Sequence, residues 1–152
     1  MNKNLYFIIC ILLLFSFNKT IAVENITFLT LKNSKVNLRQ GPSFKYPIKL
    51  VYKKKYLPVI IIDKSETWRK IKDYESNSGW IHISQLSKKK SAINIRKNNI
   101  IYKKKTIYSK PLVRLEIGRL VLIRKCNKSW CQIETGGYNG WVLKEALWGN
   151  FN

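Results

Sequence analysis

The chain contains Trp68-Arg-Lys-Ile71, Gly79-Trp80-Ile81 and Leu86, and it repeats that order as Trp130-Cys-Gln-Ile133, Gly140-Trp141-Val142 and Leu147. The two sets lie roughly 60 residues apart, a period that indicates two copies of one small domain. Upstream the match is weaker, and Leu38 with Pro42 aligns best with Ile107 and Pro111. That alignment predicts a second copy that is shorter between Pro111 and Leu120.

Each copy has the sequence pattern of a β-hairpin. In the first copy, residues 57–62 are largely β-branched, residues 63–67 are polar, and residues 68–72 form the returning strand. Residues 120–134 repeat this arrangement. No apolar period of helical type is sustained in either copy. The predicted fold class is therefore all-β, with two tandem small barrels of about five strands each.

The amino terminus has the three regions of a secretory signal peptide. Lys3 precedes the apolar run 5–17, and the small-x-small site Thr20-Ile21-Ala22 follows it. An uncleaved anchor is the alternative, but the run is well short of the roughly 20 residues that span a bilayer. We expect cleavage after Ala22, no transmembrane segment in the mature chain, and a periplasmic or secreted protein.

The charge is strongly positive. The 152 residues carry 29 Lys and Arg against 8 Asp and Glu, a net charge of +21. Signal cleavage would remove Lys3 and Lys19 and no acid, which leaves +19. The triplets 53–55, 88–90 and 103–105 are either solvated loops or a means of binding an anionic lipid surface. Export argues against a specific nucleic-acid partner, with DNA uptake as the exception.

Few residues are available for catalysis or metal binding. The single histidine, His82, would have to be the base of any Ser-His-Asp or Cys-His enzyme. Cys10 leaves with the signal peptide, and we expect Cys126 and Cys131 to form a disulfide in an oxidising compartment. A zinc site made of His82 and these cysteines lacks a fourth ligand and a known spacing. We expect no enzyme activity, no cofactor and no metal.

The ordered motifs resemble the bacterial Src-homology-3-like (SH3-like) domain family. The first copy contributes Val36-Asn-Leu-Arg39-Gln-Gly41-Pro42-Ser43, Tyr46-Pro47-Ile48, the Trp68 hairpin and Gly79-Trp80-Ile81-His82. The second contributes Tyr108-Ser-Lys-Pro111, the Cys126 to Cys131 hairpin, Gly140-Trp141 and Leu147-Trp148-Gly149. The resemblance implies a non-enzymatic module outside the inner membrane, tied to cell-wall recognition. In the second copy, Tyr108 stands where the first has Arg39.

The resemblance and the repeat together divide the chain into four parts. Residues 1–22 are the signal peptide and 23–33 an amino-terminal extension. Residues 34–92 form the first SH3-like domain, and 93–149 form a diverged second one that the disulfide staples.

Candidate functional residues lie near the Gly41-Pro42 turn, which itself needs glycine for a positive φ and proline for a fixed one. Loop residues with aromatic neighbours are where small barrels carry function. The candidate ligand groove is Arg39, Tyr46, Tyr52 and Trp80. Large apolar side chains are also needed inside such small domains, so Trp68, Trp130 and Trp141 are assigned to the core.

Two functions from different classes follow. The leading one is a non-catalytic protein that binds a cell-envelope component, either peptidoglycan or an envelope protein. The alternative is a basic adaptor held electrostatically to anionic membrane lipid or polymer. A cell-wall hydrolase, or its accessory, has the least support.

Overall fold

The computed structural model describes residues 26–151 and consists of strands joined by short turns. The predicted signal peptide, residues 1–22, lies outside the described residues. The first seven strands are β1 (Thr27–Leu31), β2 (Val36–Arg39), β3 (Ile48–Tyr52), β4 (Pro58–Ser65), β5 (Trp68–Lys72), β6 (Ser78–His82) and β7 (Leu86–Ser87). The next seven are β8 (Ser91–Asn94), β9 (Asn99–Tyr102), β10 (Pro111–Leu115), β11 (Leu120–Cys126), β12 (Trp130–Thr135), β13 (Tyr138–Leu143) and β14 (Leu147–Asn150). Single 3₁₀ turns at Ile83–Gln85 and Lys144–Ala146 precede the last strand of each set.

The two sets form two sheets with the same order. The first sheet runs β3-β2-β6-β5-β4-β1-β7, and the second runs β10-β9-β13-β12-β11-β8-β14. Adding seven to each label of the first order gives the second, so the predicted all-β tandem repeat is confirmed. Each barrel has seven strands rather than five, because short strands at both ends of each repeat complete the sheet.

The first of these short strands changes the predicted domain limits. Residues 27–31 were assigned to an amino-terminal extension, but they form β1, which pairs with β4 and β7. Leu31 is fully buried in the first core, so this strand is part of the first barrel. Likewise the predicted limit between residues 92 and 93 falls inside β8, which pairs with β11 and β14 of the second barrel.

The upstream alignment of the repeats is also corrected. Turn hydrogen bonds Gln40 N to Pro47 O and Tyr46 N to Ser43 O recur as Lys103 N to Lys110 O and Ser109 N to Thr106 O. Arg39 pairs with Trp80, and Tyr102 pairs with Trp141 in the same way. Tyr102 therefore occupies the place of Arg39, which the sequence alignment gave to Tyr108. The second copy keeps its whole first segment, because β9 and β10 match β2 and β3.

Each barrel has its own apolar core, built from one side of its strands. The first core consists of Leu31, Val36, Leu38, Tyr52, Leu57, Val59, Ile71, Ile81, Leu86 and Ile93. The second consists of Ala92, Ile101, Leu115, Val121, Ile123, Cys131, Ile133, Val142 and Leu147. Ile93 lies on β8 yet packs into the first core, so a strand of the second barrel contributes to the core of the first.

The glycine of each Gly-Trp motif allows two strands to approach closely. A Cβ on Gly79 would lie 2.7 Å from the carbonyl oxygen of Arg39, and one on Gly140 would lie 2.6 Å from that of Tyr102. No side chain fits at such a distance from a backbone atom. The motif therefore marks the point where β6 joins β2, and β13 joins β9, to continue the sheet.

The barrels pack against each other across the short connection between them. The rings of Phe28 and Trp148 meet edge to face with centroids 5.0 Å apart. Ser91 Oγ donates to Tyr56 O at 2.6 Å, and Lys54 Nζ donates to Gly118 O at 3.4 Å. The two barrels are therefore joined by an aromatic contact and by hydrogen bonds.

Cys126 and Cys131 form the predicted disulfide. They are register partners on β11 and β12, with Cα atoms 4.1 Å apart. The matching pair in the first barrel is Lys64 opposite Arg69. Cross-strand positions that are linked covalently in one barrel hold two cations in the other.

Candidate functional site

The tryptophans of the repeated motifs lie on the outer face of the barrels. Ile71, Ile81, Ile133 and Val142 point into the cores, and side chains alternate between faces along a strand. Trp68 and Trp130 are three positions from a core residue, and Trp80 and Trp141 are one position away. All four are therefore directed outward.

The assignment of Trp130 and Trp141 to the core is accordingly corrected, whereas Trp68 is buried as predicted. Trp130 and Trp141 are half-buried, and neither belongs to the core of the second barrel. The rings of Phe44 and His82 on the outer face pack against Trp68.

Those covering side chains define a small cleft in the first barrel. Seven residues surround a volume of about 260 Å³, which we call the first-barrel cleft: Lys35, Asn37, Arg39, Phe44, Trp68, His82 and Gln85. They come from β2 and the residue before it, the following loop, β5, the end of β6 and the 3₁₀ turn after it. Asn37 and Arg39 alternate with the core residues of β2, so the strand itself directs them here.

Three rings form the wall of the first-barrel cleft. Phe44 contacts Trp68 edge to face at a centroid distance of 4.9 Å, and it lies 5.6 Å from the ring of His82. Trp68 and His82 are register partners on β5 and β6, with ring centroids 5.3 Å apart. Phe44 is nevertheless 68% exposed. The sheet thus holds an exposed aromatic ring in a fixed place.

Polar groups beside these rings have defined orientations. Arg39 Nη1 donates to the carbonyl oxygen of Tyr46 at 2.7 Å, and its guanidinium lies 5.6 Å from the centre of Phe44. The backbone N–H of Ser84 donates to His82 Nδ1 at 3.4 Å. His82 Nδ1 also lies 2.8 Å from Ser84 Oγ, so the turn after β6 orients the imidazole ring.

The structure brings together only part of the predicted groove. Arg39 lines the first-barrel cleft, and Tyr46 reaches it through its carbonyl oxygen. Trp80 is half-buried beside Arg39 on the sheet but does not line the cleft. The predicted groove did not include Phe44 and His82. Side chains alternate between faces along a strand, so the position of His82 directly after the core residue Ile81 already places it on the outer face.

Tyr52 is removed from the groove by the structure. Its side chain lies in the first core, and its hydroxyl donates to Asp73 Oδ2 at 2.9 Å. Burial, and then the bond to Asp73, raises the pKa of Tyr52 far above its usual range. Asp73 also accepts from the backbone N–H groups of Glu75 and Asn77, so this pair orders the turn after β5.

Gly41 is needed for space rather than for a positive φ. The glycines with positive φ in residues 26–151 are Gly118, Gly136 and Gly137. A Cβ on Gly41 would lie 2.6 Å from the ring of Tyr46. The Gly41-Pro42 turn therefore packs against Tyr46, which supports the structural role for this glycine.

The second barrel lacks the polar part of this cleft. The positions of Arg39, Phe44 and His82 are occupied by Tyr102, Ile107 and Leu143. Tyr102 packs edge to face on Trp130 at 6.0 Å. Neither a guanidinium nor an imidazole is present at these positions, so the two barrels do not share one ligand site.

A larger groove of about 770 Å³ runs between the barrels, flanked by β1 and β14. Phe28, Leu29 and Trp148 contribute apolar surface, and Lys88 and Lys144 are its charged residues. The first-barrel cleft is the better candidate site, because its charged and polar side chains adjoin an exposed aromatic ring.

Two features bear on membrane and metal binding. Among residues 26–151 no helix has the length and apolar character to cross a membrane. Within the same residues no group of three or more His, Cys, Asp or Glu side chains is arranged to hold a metal ion.

Comparison with known proteins identifies the repeated unit. The family model for the bacterial SH3 domain matches residues 32–88 and 105–149, one segment in each barrel. Among curated proteins, none matches this chain.

Solved structures with a similar chain trace are NlpC and NlpC/P60 proteins. NlpC2 from Trichomonas vaginalis is 17% identical, with 82% of this chain and 48% of that chain covered and a TM-score of 0.37. NlpC1 from Trichomonas vaginalis is 16% identical, with 83% of this chain and 46% of that chain covered and a TM-score of 0.37. An NlpC/P60 family protein from Bacillus cereus ATCC 10987 is 13% identical, with 80% of this chain and 56% of that chain covered and a TM-score of 0.37. The chain spans about half the length of these structures. Because the family model covers most of both barrels, the chain belongs to the bacterial SH3 domain family.

Proposed function

We propose that this protein is a non-catalytic module that binds a component of the cell envelope through the first-barrel cleft, with peptidoglycan as the leading candidate. Bacterial SH3 domains commonly bind cell-wall components. The observation that carries the proposal is Phe44, which is mostly exposed yet held between Trp68, His82 and Arg39. An exposed ring fixed in this way favours recognition over folding.

The chemistry of the first-barrel cleft suits a wall fragment. The face of Phe44 offers apolar area to a sugar ring or a peptide side chain. Arg39 and Lys35 can pair with carboxylates, and the amides of Asn37 and Gln85 can bind hydroxyl or peptide groups. Peptidoglycan presents sugar rings, peptide groups and carboxylates within a short distance of one another.

A binding role is also supported by the state of the residues that a hydrolase would use. Cys126 and Cys131 are joined in a disulfide on the other barrel, so neither is a thiolate nucleophile beside His82. The first-barrel cleft contains cations and amides but no carboxylate among its lining residues. Detection of a free, reactive Cys126 thiol in the native protein would reopen the enzyme hypothesis.

We infer a periplasmic or secreted location from the domain family, the amino-terminal sequence and the disulfide. Bacterial SH3 domains are typically extracellular or envelope-associated. Residues 1–22 have the order of a signal peptide, and the disulfide suits an oxidising compartment. Fractionation of expressing cells tests this, because a protein of full length in the cytoplasm would contradict it.

The binding test compares two matched substitutions in residues 23–152. We expect Phe44→Ala to weaken binding to purified sacculi at least about tenfold, the loss typical of a central interface residue. Ile107→Ala changes the corresponding exposed residue of the second barrel, which is 55% exposed, and should leave binding within about twofold. Equal effects of the two substitutions would exclude the first-barrel cleft as the binding site.

The electrostatic adaptor remains the second candidate because lysines are abundant on the surface. In residues 26–151 the ion pairs are Arg96–Glu145 and Arg124–Glu134, so none of the lysine triplets is neutralised by an acid. Pull-down on sacculi and on anionic vesicles, repeated at salt that cuts the Debye length to roughly 4 Å, separates the candidates. Retention on sacculi at high salt supports the cleft, and loss from both supports the adaptor.

A further inference from the structure

The surface around Trp141 in the second barrel combines an aromatic ring with a dense group of cations. An open recess of about 420 Å³ is lined by five residues, which we call the lysine-tryptophan recess: Lys103, Lys104, Lys105, Thr106 and Trp141. Lys125 adds a fourth cation, with Nζ 5.7 Å from the centre of the Trp141 ring. Aromatic surface and positive charge thus meet at one place.

The lysines are free to bind an anion. Both ion pairs found in residues 26–151 use arginine, so no carboxylate lies within salt-bridge distance of these four lysines. Like charges held close together repel, and a bound anion relieves that repulsion. The recess is therefore suited to a ligand with more than one negative charge.

The backbone of the lysine loop is held in place by its own hydrogen bonds. Lys103 N donates to Lys110 O at 3.0 Å, and Lys104 N donates to Ser109 Oγ at 2.9 Å. Thr106 N donates to Lys104 O at 2.8 Å. Because the loop is already ordered, binding does not have to order it.

The first barrel shows that the fold does not require these cations. The same turn there is Gln40, Gly41, Pro42 and Ser43, which carries no charge, and Trp80 stands in the place of Trp141. Strand order and turn hydrogen bonds are the same in both. The lysines are thus a feature of the second barrel alone.

We propose that the lysine-tryptophan recess binds a phosphorylated saccharide, with the phosphates on Lys103, Lys104, Lys105 and Lys125 and one sugar ring against Trp141. Phosphate groups match several cations held close together, and the flat C–H face of a sugar matches an indole ring. The choice of a saccharide over a nucleic acid rests on the proposed envelope location. The site itself is separate from the first-barrel cleft.

The test measures binding of residues 23–152 to soluble phosphomannan, neutral mannan and inorganic polyphosphate. We expect phosphomannan to bind best, because it alone supplies both the ring and the charge. Replacing Lys103, Lys104 and Lys105 together by Gln should weaken binding about tenfold or more, since each cation near an anionic surface is worth about 1 kcal/mol, or about fivefold. Trp141→Ala should weaken binding to phosphomannan but not to polyphosphate, and Trp141→Phe serves if the alanine variant does not fold.

Two matched variants control for charge and for the other site. Replacing Lys53, Lys54 and Lys55 by Gln removes the same charge elsewhere and should have a much smaller effect. Phe44→Ala should leave phosphomannan binding unchanged, so failure here and failure of the proposed function are distinguishable. Equal losses from the two lysine triplets, no effect of either Trp141 variant, or tighter binding to single-stranded DNA than to phosphomannan would each overturn the proposal.

Discussion

The first barrel carries Arg39, Phe44 and His82 on its outer face, whereas the second carries Tyr102, Ile107 and Leu143 at the same places and gathers its lysines around Trp141. Both barrels have the same strand order and the same turn hydrogen bonds. The difference therefore lies in surface chemistry laid over one framework. Two copies in one chain can then bind two kinds of ligand without a change of fold.

The interiors differ as well. The first barrel buries Tyr52 with its hydroxyl on Asp73, and the second has Leu115 at the position of Tyr52. The second barrel buries Asn94, whose Nδ2 donates to Glu116 O at 2.9 Å and whose Oδ1 accepts from Asn99 at 3.0 Å. Each barrel thus has a buried polar pair, Tyr52 with Asp73 in the first and Asn94 with Asn99 in the second, but at different places.

The largest predicted effect tests what the barrels share. Gly79→Ala and Gly140→Ala should each destabilise the barrel concerned by about 3 kcal/mol, because the new Cβ meets a backbone carbonyl that cannot move away. Hydrogen exchange followed by mass spectrometry assigns the loss to a barrel.

Gly137→Ala is the control for these glycines. Its φ is +82°, but no heavy atom lies within 4 Å of the added Cβ, so only the backbone cost of about 1 kcal/mol is expected. If Gly140→Ala cost no more than Gly137→Ala, the close approach of β13 and β9 would not be the reason for the motif.

The next effect tests the disulfide of the second barrel, which has no counterpart in the first. Replacing Cys126 and Cys131 by Ser should lower the free energy of unfolding by roughly 2 kcal/mol, the entropy expected for a loop of this length. The loss should appear in the exchange rates of the second barrel and be small in the first. Chemical denaturation of the oxidised protein with and without reductant gives the same comparison, and equal destabilisation of both barrels would show that they unfold as one unit.

The smallest effect concerns the buried tyrosine of the first barrel. Folding raises the pKa of Tyr52, so its protonated hydroxyl contributes to the free energy of unfolding. That contribution is fully present below the pKa of an unfolded tyrosine, near 10, and declines as the pH rises above it. Tyr52→Phe should cost about 1 kcal/mol at neutral pH through the lost bond to Asp73, and it should flatten this alkaline decline. Unfolding midpoints of both proteins between about pH 8 and pH 11 measure the difference.

The comparison of the barrels supplies the control for this pH effect. Exchange rates in the second barrel, which has Leu115 at this position, should respond equally in the two proteins. A decline of the same steepness in the Tyr52→Phe variant would rule out Tyr52 as its source.

Much of the fold was accessible from the repeated motifs, because each one reports a local requirement. Hairpins 57–72 and 120–134 were placed within a few residues, and the disulfide was assigned correctly. Strands β1 and β7 were missed because they are short and their partners are distant in sequence. The repeats were misaligned upstream because proline was matched to proline, whereas the turns correspond by their hydrogen bonds.

The candidate site was predicted only in part. Trp130 and Trp141 were assigned to the core because they are large, but their position relative to Ile133 and Val142 places them on the outer face. Tyr52 was assigned to the groove, but it lies at the buried end of β3, where it is the register partner of the core residue Val36. Counting strand parity from the core would have corrected the tryptophan assignments, whereas the burial of Tyr52 depends on the pairing of β3 with β2.

Residue types and short spacings were enough to predict the all-β class, the tandem repeat, the disulfide and the positive charge. The tertiary structure alone decided that Phe44, Trp68 and His82 meet beside Arg39 and that Trp141 lies among lysines. Those contacts join a loop to strands that are separate in sequence, and only the pairing of β5 with β6 and of β9 with β13 brings them together. Strand register is a property of the folded sheet, so the binding surfaces appear only when the sheet is formed.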